Sequence, residues 1–170
     1  MTAVRAGIVT VSTRGAAGER ADESGPAMRE ALTAAGHEVT SSAIVPDDVA
    51  KVANAILDAV RAGANVVLTS GGTGLSPNDV TPEATRRVID REVPGIAEAL
   101  RARSLAKTPH GMLSRGVAGA VGPALVVNLP GSPRAVKESL EVLLPVLSHA
   151  VELLAGESGE TGHARGRPTA

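Results

Sequence analysis

The 170-residue sequence contains no cysteine and no phenylalanine, tyrosine or tryptophan. The absence of cysteine excludes disulfide bonds, thiolate metal sites and cysteine nucleophiles. The absence of aromatic rings removes the usual stacking platform for single-stranded bases. Lysine and arginine number 17 against 18 aspartates and glutamates, which gives a net charge of -1. The charge balance therefore gives no electrostatic reason to expect nucleic-acid binding.

Long apolar runs are also missing. No run reaches the roughly 20 residues that a membrane-spanning helix needs, and a strand pattern begins at Val4 with no apolar secretory segment before it. We therefore expect a cytoplasmic protein with no membrane partner. The length and the 43% hydrophobic content predict one domain over residues 1–155. Apolar residues become scarce from Gly156 onward, which predicts a disordered tail over residues 156–170.

Strand-like and helix-like segments alternate along the chain, which is typical of an α/β domain with a parallel sheet. Strands are predicted at residues 4–11, 37–45, 65–69, 117–121 and 124–128, and helices at residues 82–90 and 94–107. The last two strands form a hairpin, because Gly122-Pro123 between them is a turn dipeptide. Gly36 and Gly63 end two earlier helices, and a long helix with a leucine-rich stripe follows Pro133.

The most informative segment follows the third predicted strand, where an apolar run stops abruptly in Gly71, Gly72 and Gly74. Glycine lets backbone N–H groups turn toward a ligand at positive φ, so such a loop can cradle an anion without a dedicated cation. Thr73 adds a hydroxyl group. The sequence therefore predicts a phosphate-handling loop, although tight turns that merely need glycine would give the same pattern.

A helix start follows this loop. Thr81-Pro82-Glu83 is interpreted as an N-cap, a first-turn proline and an acid at the positive end of the helix dipole. The loop is thus predicted to lie between a strand and a helix. It is neither a Walker loop nor the Rossmann fingerprint, because the glycines follow the third strand and no Gly-Lys-Ser/Thr sequence occurs.

Four polar or glycine-rich loops follow apolar strands, at residues 10–13, 46–48, 70–79 and 128–132. In open α/β sheets, ligands bind where such loops converge beyond the carboxyl ends of the strands. Asp47 and Asp79 suit Mg²⁺, which takes one or two carboxylates together with substrate phosphates. The combination favours a nucleotide or phosphate ester with a metal. Helix capping by Asp47 and turn formation by Asp79 are the alternatives.

Four long segments carry a resemblance to a known family. They are Thr-Ser-Gly-Gly-Thr-Gly-Leu-Ser-Pro-Asn-Asp-Val-Thr-Pro-Glu-Ala-Thr (69–85), Pro-Gly-Ile-Ala-Glu-Ala-Leu-Arg (94–101), Met-Leu-Ser-Arg-Gly-Val-Ala-Gly (112–119) and Asn-Leu-Pro-Gly-Ser-Pro (128–133). They resemble the molybdopterin-binding family of molybdenum-cofactor biosynthesis proteins, and the match spans residues 4–155. The resemblance implies a three-layer α/β/α sandwich with a mostly parallel central sheet and a small β-hairpin extension. It also implies a homotrimer or hexamer.

Members of that family with established activity adenylylate molybdopterin, so the resemblance implies a nucleotidyltransferase with molybdopterin and ATP as substrates and Mg²⁺ as cofactor. By motif, Asp47 and Asp79 would serve in catalysis and metal binding. The ligand-binding positions would be Thr10, Ser12, Gly71, Gly72, Thr73, Gly74, Ser114, Arg115, Asn128, Pro130, Gly131 and Ser132. The glycine loop would hold the nucleotide phosphates, and Ser114 with Arg115 would lie near the terminal phosphate of the pterin side chain.

Two other functions remain open from the sequence. The chain could be a homologue that binds molybdopterin without adenylylating it. It could also be a nucleotide-cleaving enzyme, because a similar domain occurs in competence/damage-inducible-type proteins. Many relatives carry an acidic residue where this chain has Thr13, followed here by Arg14. Ser24 and Gly25 match a helix-start motif that is interpreted equally well as a cap.

Overall fold

A computed structural model describes residues 3–156, so all but the first residue of the predicted tail lies outside the described residues. The strands are β1 Arg5–Val11, β2 Glu38–Val45, β3 Val66–Ser70, β4 Arg91–Glu92, β5 Ala118–Val121 and β6 Ala124–Leu129. The helices are α1 Thr13–Ala16, α2 Ser24–Ala34, α3 Val49–Arg61, α4 Thr81–Arg86, α5 Pro94–Leu105 and α6 Pro133–Ala155, with a 3₁₀-helix at Pro109–Leu113. Within residues 3–156, none of these helices combines the length and apolar character needed to cross a bilayer.

All six strands belong to one sheet in the order β2-β1-β3-β6-β5-β4. The four strands from β2 to β6 run parallel, whereas β5 is antiparallel to β6 and β4 is antiparallel to β5. The predicted hairpin is therefore present as β5 and β6. Its second strand lies inside the sheet beside β3, so the hairpin extends the parallel part of the sheet with an antiparallel edge.

Two hydrophobic cores cover the two faces of the sheet. Neighbouring residues of β1 alternate between them, with Ile8 in one core and Val9 in the other. The first core is filled by side chains of α2, α5 and α6, among them Met28, Leu32, Leu100, Leu140, Leu143 and Leu147. The second is filled by α3 and α4, among them Val52, Ile56 and Ala84. This confirms the predicted three-layer sandwich with a mostly parallel sheet.

The predicted N-cap at Thr81 is wrong. Helix α4 begins at Thr81 itself, with Val80 as the capping residue and no side-chain cap. The Thr81 hydroxyl donates instead to the carbonyl oxygen of Gly71 at 2.8 Å, and the Thr81 N–H donates to the carbonyl oxygen of Gly72 at 3.1 Å. The hydroxyl cannot cap the helix because the preceding glycine loop takes it. Thr81 thereby ties the first turn of α4 to the loop.

Candidate active site

The carboxyl ends of the parallel strands lie at one edge of the sheet. Thr10 at the end of β1 is paired with Ser70 at the end of β3, and Ser70 is paired with Leu129 at the end of β6. The register therefore brings the loops after β1, β3 and β6 together. This is the edge where open α/β sheets bind their ligands.

A cavity of about 350 Å³ opens at this edge. Its lining includes five of the predicted binding residues, namely Thr10, Ser12, Gly71, Gly131 and Ser132. It also includes Arg20 and Asp22, which the sequence-based prediction missed as site residues. Ser132 is the N-cap of the 23-residue helix α6 and accepts the Ala135 N–H at 3.2 Å, so this helix begins beside the cavity.

Asp22 is held by internal hydrogen bonds. Its Oδ1 accepts the N–H groups of Ser24 and Gly25 at 3.1 and 3.0 Å, and its Oδ2 accepts the Thr10 hydroxyl at 2.9 Å. A Cβ on Gly25 would collide with this carboxylate, so glycine is needed there. The position of Asp22 just before α2 predicts that its carboxylate accepts from N–H groups at the start of this helix. It does not predict the contact with Thr10. The Ser24 hydroxyl donates to the Gly131 carbonyl at 2.7 Å, which joins α2 to the loop after β6.

Two of the three loop glycines have the positive φ angles that the sequence predicts, +97° at Gly71 and +66° at Gly72, whereas Gly74 does not. A Cβ on Gly71 would collide with the carbonyl oxygen of Val11 in β1. The Gly71 N–H is used, since it donates to the Leu129 carbonyl at 3.2 Å. Within residues 3–156, no acceptor takes the N–H groups of Gly72, Thr73 or Gly74. Three successive N–H groups of the loop thus have no partner among the described residues, as a loop that binds an anion requires.

The two predicted acidic residues lie on either side of this loop. Asp47 Oδ1 is 3.2 Å from the position that a Cβ of Gly72 would occupy, and Asp79 Oδ2 is 2.9 Å from the corresponding position at Gly74. Asp79 Oδ2 also accepts the Ser76 N–H at 2.9 Å. The neighbouring Asp48, not Asp47, caps helix α3, by accepting the Lys51 N–H at 2.9 Å. Both acids are thus adjacent to the loop.

The two acids supply the type of donor that a hard divalent cation takes together with substrate. Within residues 3–156, no group of three or more histidine, cysteine, aspartate or glutamate side chains is arranged to hold a metal. Asp47 Oδ1 and Asp79 Oδ1 accept no hydrogen bond from any described residue. Mg²⁺ commonly binds through one or two carboxylates together with substrate phosphates and water, so the two acids suit it.

Arg115 makes several contacts within the protein. Its guanidinium donates to the carbonyl oxygens of Gly74 and Asp79, each at 2.7 Å, and it forms an ion pair with Glu83 of α4. Its backbone N–H donates to the Thr73 carbonyl at 2.8 Å. The side chain is one-third exposed. Arg115 therefore fastens the C-terminal part of the glycine loop and the segment after it to α4.

The ion pair shifts the pKa values of Glu83 and Arg115 in opposite directions. The hydrogen bond from Arg115 lowers the pKa of Glu83 below its ordinary value of 4.5. The hydrogen bond to Glu83 raises the pKa of Arg115. Both side chains stay charged throughout the neutral range, so the loop keeps this attachment there.

Asn128 belongs to the protein interior. Its amide nitrogen donates to the hydroxyl oxygens of Thr69 and Thr85, each at 2.9 Å, and its Oδ1 accepts the Val117 N–H at 3.2 Å. The side chain is buried. With its amide fully engaged, Asn128 joins β3, α4 and the segment before β5. The sequence placed it at the site because it precedes the Pro130-Gly131 loop.

A second hollow, of about 370 Å³, lies between α5 and the antiparallel edge of the sheet. Its lining includes the predicted residues Ser114 and Arg115 together with Arg86, Arg101 and Glu92. Arg101 donates to the Gly116 carbonyl at 2.8 Å, and Arg86 pairs with Glu92 at 3.0 Å. Pro130 and Ser114 also line a small cavity of about 50 Å³ near α6. The predicted site residues are therefore divided among separate recesses, and Arg115 lies where the second hollow meets the glycine loop.

The fold and this edge define an α/β protein with a glycine-rich loop that two acidic side chains approach. The sequence matches a family described as a probable molybdopterin binding domain over residues 7–149. The chain belongs to this family, which confirms the resemblance seen in the sequence.

Named relatives cover most of the chain. A molybdopterin adenylyltransferase of Pyrococcus furiosus is 39% identical over 155 residues, which cover 86% of this chain and 90% of the relative. A crystal structure of the molybdopterin biosynthesis enzyme MoaB of Thermus thermophilus is 51% identical, with a TM-score of 0.84 over 90% of this chain and 97% of that one. A molybdenum cofactor biosynthesis bifunctional protein of Chlorobaculum tepidum is 39% identical over 94% of this chain, and the chain spans 50% of that relative's length.

Proposed function

We propose that this protein is a molybdopterin adenylyltransferase that acts in molybdenum-cofactor biosynthesis with ATP and Mg²⁺. The observation that carries the proposal is the run of free N–H groups at Gly72, Thr73 and Gly74, within residues 3–156, between Asp47 and Asp79. Such a loop suits a nucleotide's phosphates, and the two carboxylates suit the cation that accompanies them. The name of the Pyrococcus furiosus relative supports the reaction.

In this reaction an oxygen of the terminal phosphate of molybdopterin attacks the α-phosphorus of ATP. The bond from that phosphorus to the bridging oxygen breaks, and pyrophosphate leaves with the electron pair. The nucleophile is an already ionised phosphate oxygen, so no side chain needs to remove a proton. Catalysis of this kind depends on positioning and on stabilising negative charge. The site accordingly needs oriented dipoles and a cation more than it needs a general base.

Each part of the site has a distinct task in this proposal. The N–H groups of residues 72–74 donate to the α- and β-phosphate oxygens, and Asp47 with Asp79 holds the metal. When bound, Mg²⁺ neutralises charge on the phosphates and orients them. Arg115 positions the loop by its contacts with the Gly74 and Asp79 carbonyls. Asn128 acts from the interior, by fixing Thr69 and Thr85 on either side of the loop.

The two recesses suit two substrates. We assign the nucleotide to the cavity lined by Thr10, Ser12, Gly71 and the Gly131-Ser132 turn, which the glycine loop borders. We assign the phosphate end of the pterin to the hollow beside Ser114 and Arg101, which has a cationic rim. Arg115 lines this hollow and also donates to the Gly74 carbonyl, so it connects the hollow with the glycine loop.

An adenylyl-transfer assay tests the proposal. The purified chain is incubated with molybdopterin, ATP labelled at the α-phosphate and Mg²⁺, and the expected result is a labelled pterin ester with release of pyrophosphate. Tight molybdopterin binding that is indifferent to ATP and yields no ester would overturn it in favour of a binding homologue. Release of AMP from ADP-ribose, again with no ester, would overturn it in favour of a nucleotide-cleaving enzyme.

The proposal extends to assembly and location, with a homotrimer or hexamer that acts in the cytoplasm. Assembly is supported by the outer side of β2, an edge strand on which Ile44 is exposed. Light scattering after gel filtration should give three or six times the chain mass of 17.0 kDa. A single-chain mass would contradict the assembly, and activity in a membrane or periplasmic fraction would contradict the location.

A further inference from the structure

The two carboxylate oxygens of Asp47 have different surroundings. Oδ2 accepts two hydrogen bonds from Thr13, one from the hydroxyl at 2.7 Å and one from the backbone N–H at 3.0 Å. Oδ1 accepts none from residues 3–156 and faces the glycine loop beside Gly72. The carboxylate is therefore held in one orientation, in which Oδ2 is hydrogen-bonded to Thr13 and Oδ1 lies beside the glycine loop.

Thr13 is held in turn by Asp47. The Asp47 N–H donates to the Thr13 hydroxyl oxygen at 3.0 Å, so the hydroxyl accepts from the backbone while it donates to the carboxylate. Three hydrogen bonds thus join two residues that are 34 positions apart, at the first residue of α1 and just after β2. This reciprocal arrangement restricts rotation of both side chains, which an exposed acid on a loop would otherwise retain.

We infer that Thr13 is a positioning residue that presents Asp47 Oδ1, as a single-oxygen ligand, to the divalent cation of the nucleotide. The inference rests on the proposed function, since it assumes that Asp47 holds a metal. Mg²⁺ demands near-octahedral geometry, so the direction of each ligand atom matters. The outer partners of ligating groups typically change metal affinity or activity by about 10- to 100-fold when they are removed. Thr13 supplies both partners of Asp47 Oδ2.

Metal binding without turnover tests this role. Mn²⁺ is titrated into the full chain in the presence of α,β-methylene-ATP, which cannot transfer its adenylyl group, and binding is followed by water-proton relaxation. Thr13→Val keeps the shape of the side chain and removes the hydroxyl, and we expect the Kd for Mn²⁺ to rise about 10-fold. Thr13→Ser restores the hydroxyl and should restore the wild-type Kd.

Thr108→Val is the matched control. Thr108 is also a polar cap, since it accepts the His110 N–H at 3.4 Å at the start of the 3₁₀-helix, but no described contact joins it to Asp47. Its loss should leave Mn²⁺ binding unchanged. Thermal unfolding of each variant shows whether the chain folds, and a variant that unfolds early is replaced by Thr13→Ala in the same titration.

The outcomes separate the inference from the function on which it rests. If Asp47→Asn weakens Mn²⁺ binding but Thr13→Val and Thr13→Ala do not, the role of Thr13 is overturned and the metal site stands. If Asp47→Asn leaves Mn²⁺ binding unchanged, the metal role in the proposed function is overturned too. A Thr13→Ser variant as weak as Thr13→Val would show that the threonine acts through packing and not through its hydroxyl.

Discussion

The guanidinium of Arg115 forms an ion pair with Glu83 and from that position donates to two backbone carbonyls, that of Gly74 at the end of the glycine loop and that of Asp79 beyond it. The pair links the segment before β5 to the first turn of α4. The carbonyls of Gly74 and Asp79 accept from the same guanidinium. The direction of the N–H groups of residues 72–74 therefore depends on Arg115, which lies some forty positions away in the chain. An arginine is needed here, since only its planar fork can serve several acceptors at fixed angles.

Arg115→Gln should impair catalysis more than stability. The variant loses the donors to Gly74 and Asp79, and a displacement of about 1 Å at a reacting group can cost about 10²-fold in rate. We expect a fall of that order in kcat/KM for ATP, measured by pyrophosphate release. Arg61→Gln, which removes an arginine whose pair with Asp58 is largely exposed on α3, is the control. Equal rates for the two variants would contradict the role of Arg115.

The ion pair also gives the loop a pH dependence at the acid end. Arg115 lowers the pKa of Glu83 in the folded protein, so the pair stabilises the fold above the ordinary value of 4.5 and its contribution disappears as pH falls through the lowered pKa. Because the Glu83 side chain is 44% exposed, the effect is at most about 1 kcal/mol. The difference in free energy of unfolding between wild type and Glu83→Gln, measured in urea, should be present at pH 7 and should shrink as the pH is lowered below 4.5. A difference that grows toward acid pH would have the wrong sign.

Replacement of Asp47 should lower the activity, whereas replacement of the neighbouring Asp48 should not. Asp47→Asn and Asp79→Asn should each lower the adenylylation rate by at least about 10²-fold, because a metal-bound transition state loses several kcal/mol of stabilisation. Asp48→Asn should keep the activity, since asparagine also caps a helix well and Asp48 contacts Lys51 and not the loop. All three variants should unfold close to the wild-type temperature. An Asp48→Asn variant as slow as Asp47→Asn would argue for a general charge effect.

Gly71→Ala should be much more harmful than Gly63→Ala. Both glycines have a φ near the same positive value, +97° and +95°, so both variants bear a backbone strain of about 1–2 kcal/mol. A Cβ at position 63 meets nothing within 4 Å, whereas one at position 71 collides with the Val11 carbonyl. Thermal unfolding should therefore show a larger loss for Gly71→Ala, with a loss of activity that Gly63→Ala does not share. Equal losses would mean that the loop can shift away from β1.

Replacement of Asn128 shows whether this side chain stabilises the interior or contacts a ligand. Asn128→Ala leaves the buried Val117 N–H without its acceptor and the Thr69 hydroxyl without its donor, whereas the Thr85 hydroxyl still donates to the Thr81 carbonyl. An unsatisfied buried group costs about 1–3 kcal/mol. We expect a lower free energy of unfolding together with reduced activity. Reduced affinity for ATP or molybdopterin at unchanged stability would instead assign Asn128 to the ligand surface.

Much of the fold could be predicted from the sequence because it depends on local signals. The apolar run predicted as a strand at residues 65–69 and the Gly122-Pro123 turn both correspond to strands of the structure, the first at Val66–Ser70. The short strand Arg91–Glu92 was missed, since two exposed residues carry no periodicity and pair only because β5 lies beside them. The helix predicted at residues 82–90 ends at Arg86.

The sequence predicted the glycines and acids that the structure brings close together, but not the contacts that hold them. The glycines and the two acids were found because their chemistry is visible in single residues. The contacts of Thr81, Arg115 and Asn128 were not, because each reaches a partner that only the folded chain brings near. Thr13 belongs to the same class, since its partner Asp47 lies just past the end of the neighbouring strand.

Residues 71–74 are attached to the rest of the molecule at several points, through Leu129, Thr81 and Arg115. A loop so attached has already lost its conformational freedom when the chain folds. An arriving nucleotide therefore does not have to order it, and the entropy loss that ordering would impose on association is avoided. In a flexible glycine loop, by contrast, part of the contact energy would be spent on creating the binding shape before any of it could appear as affinity.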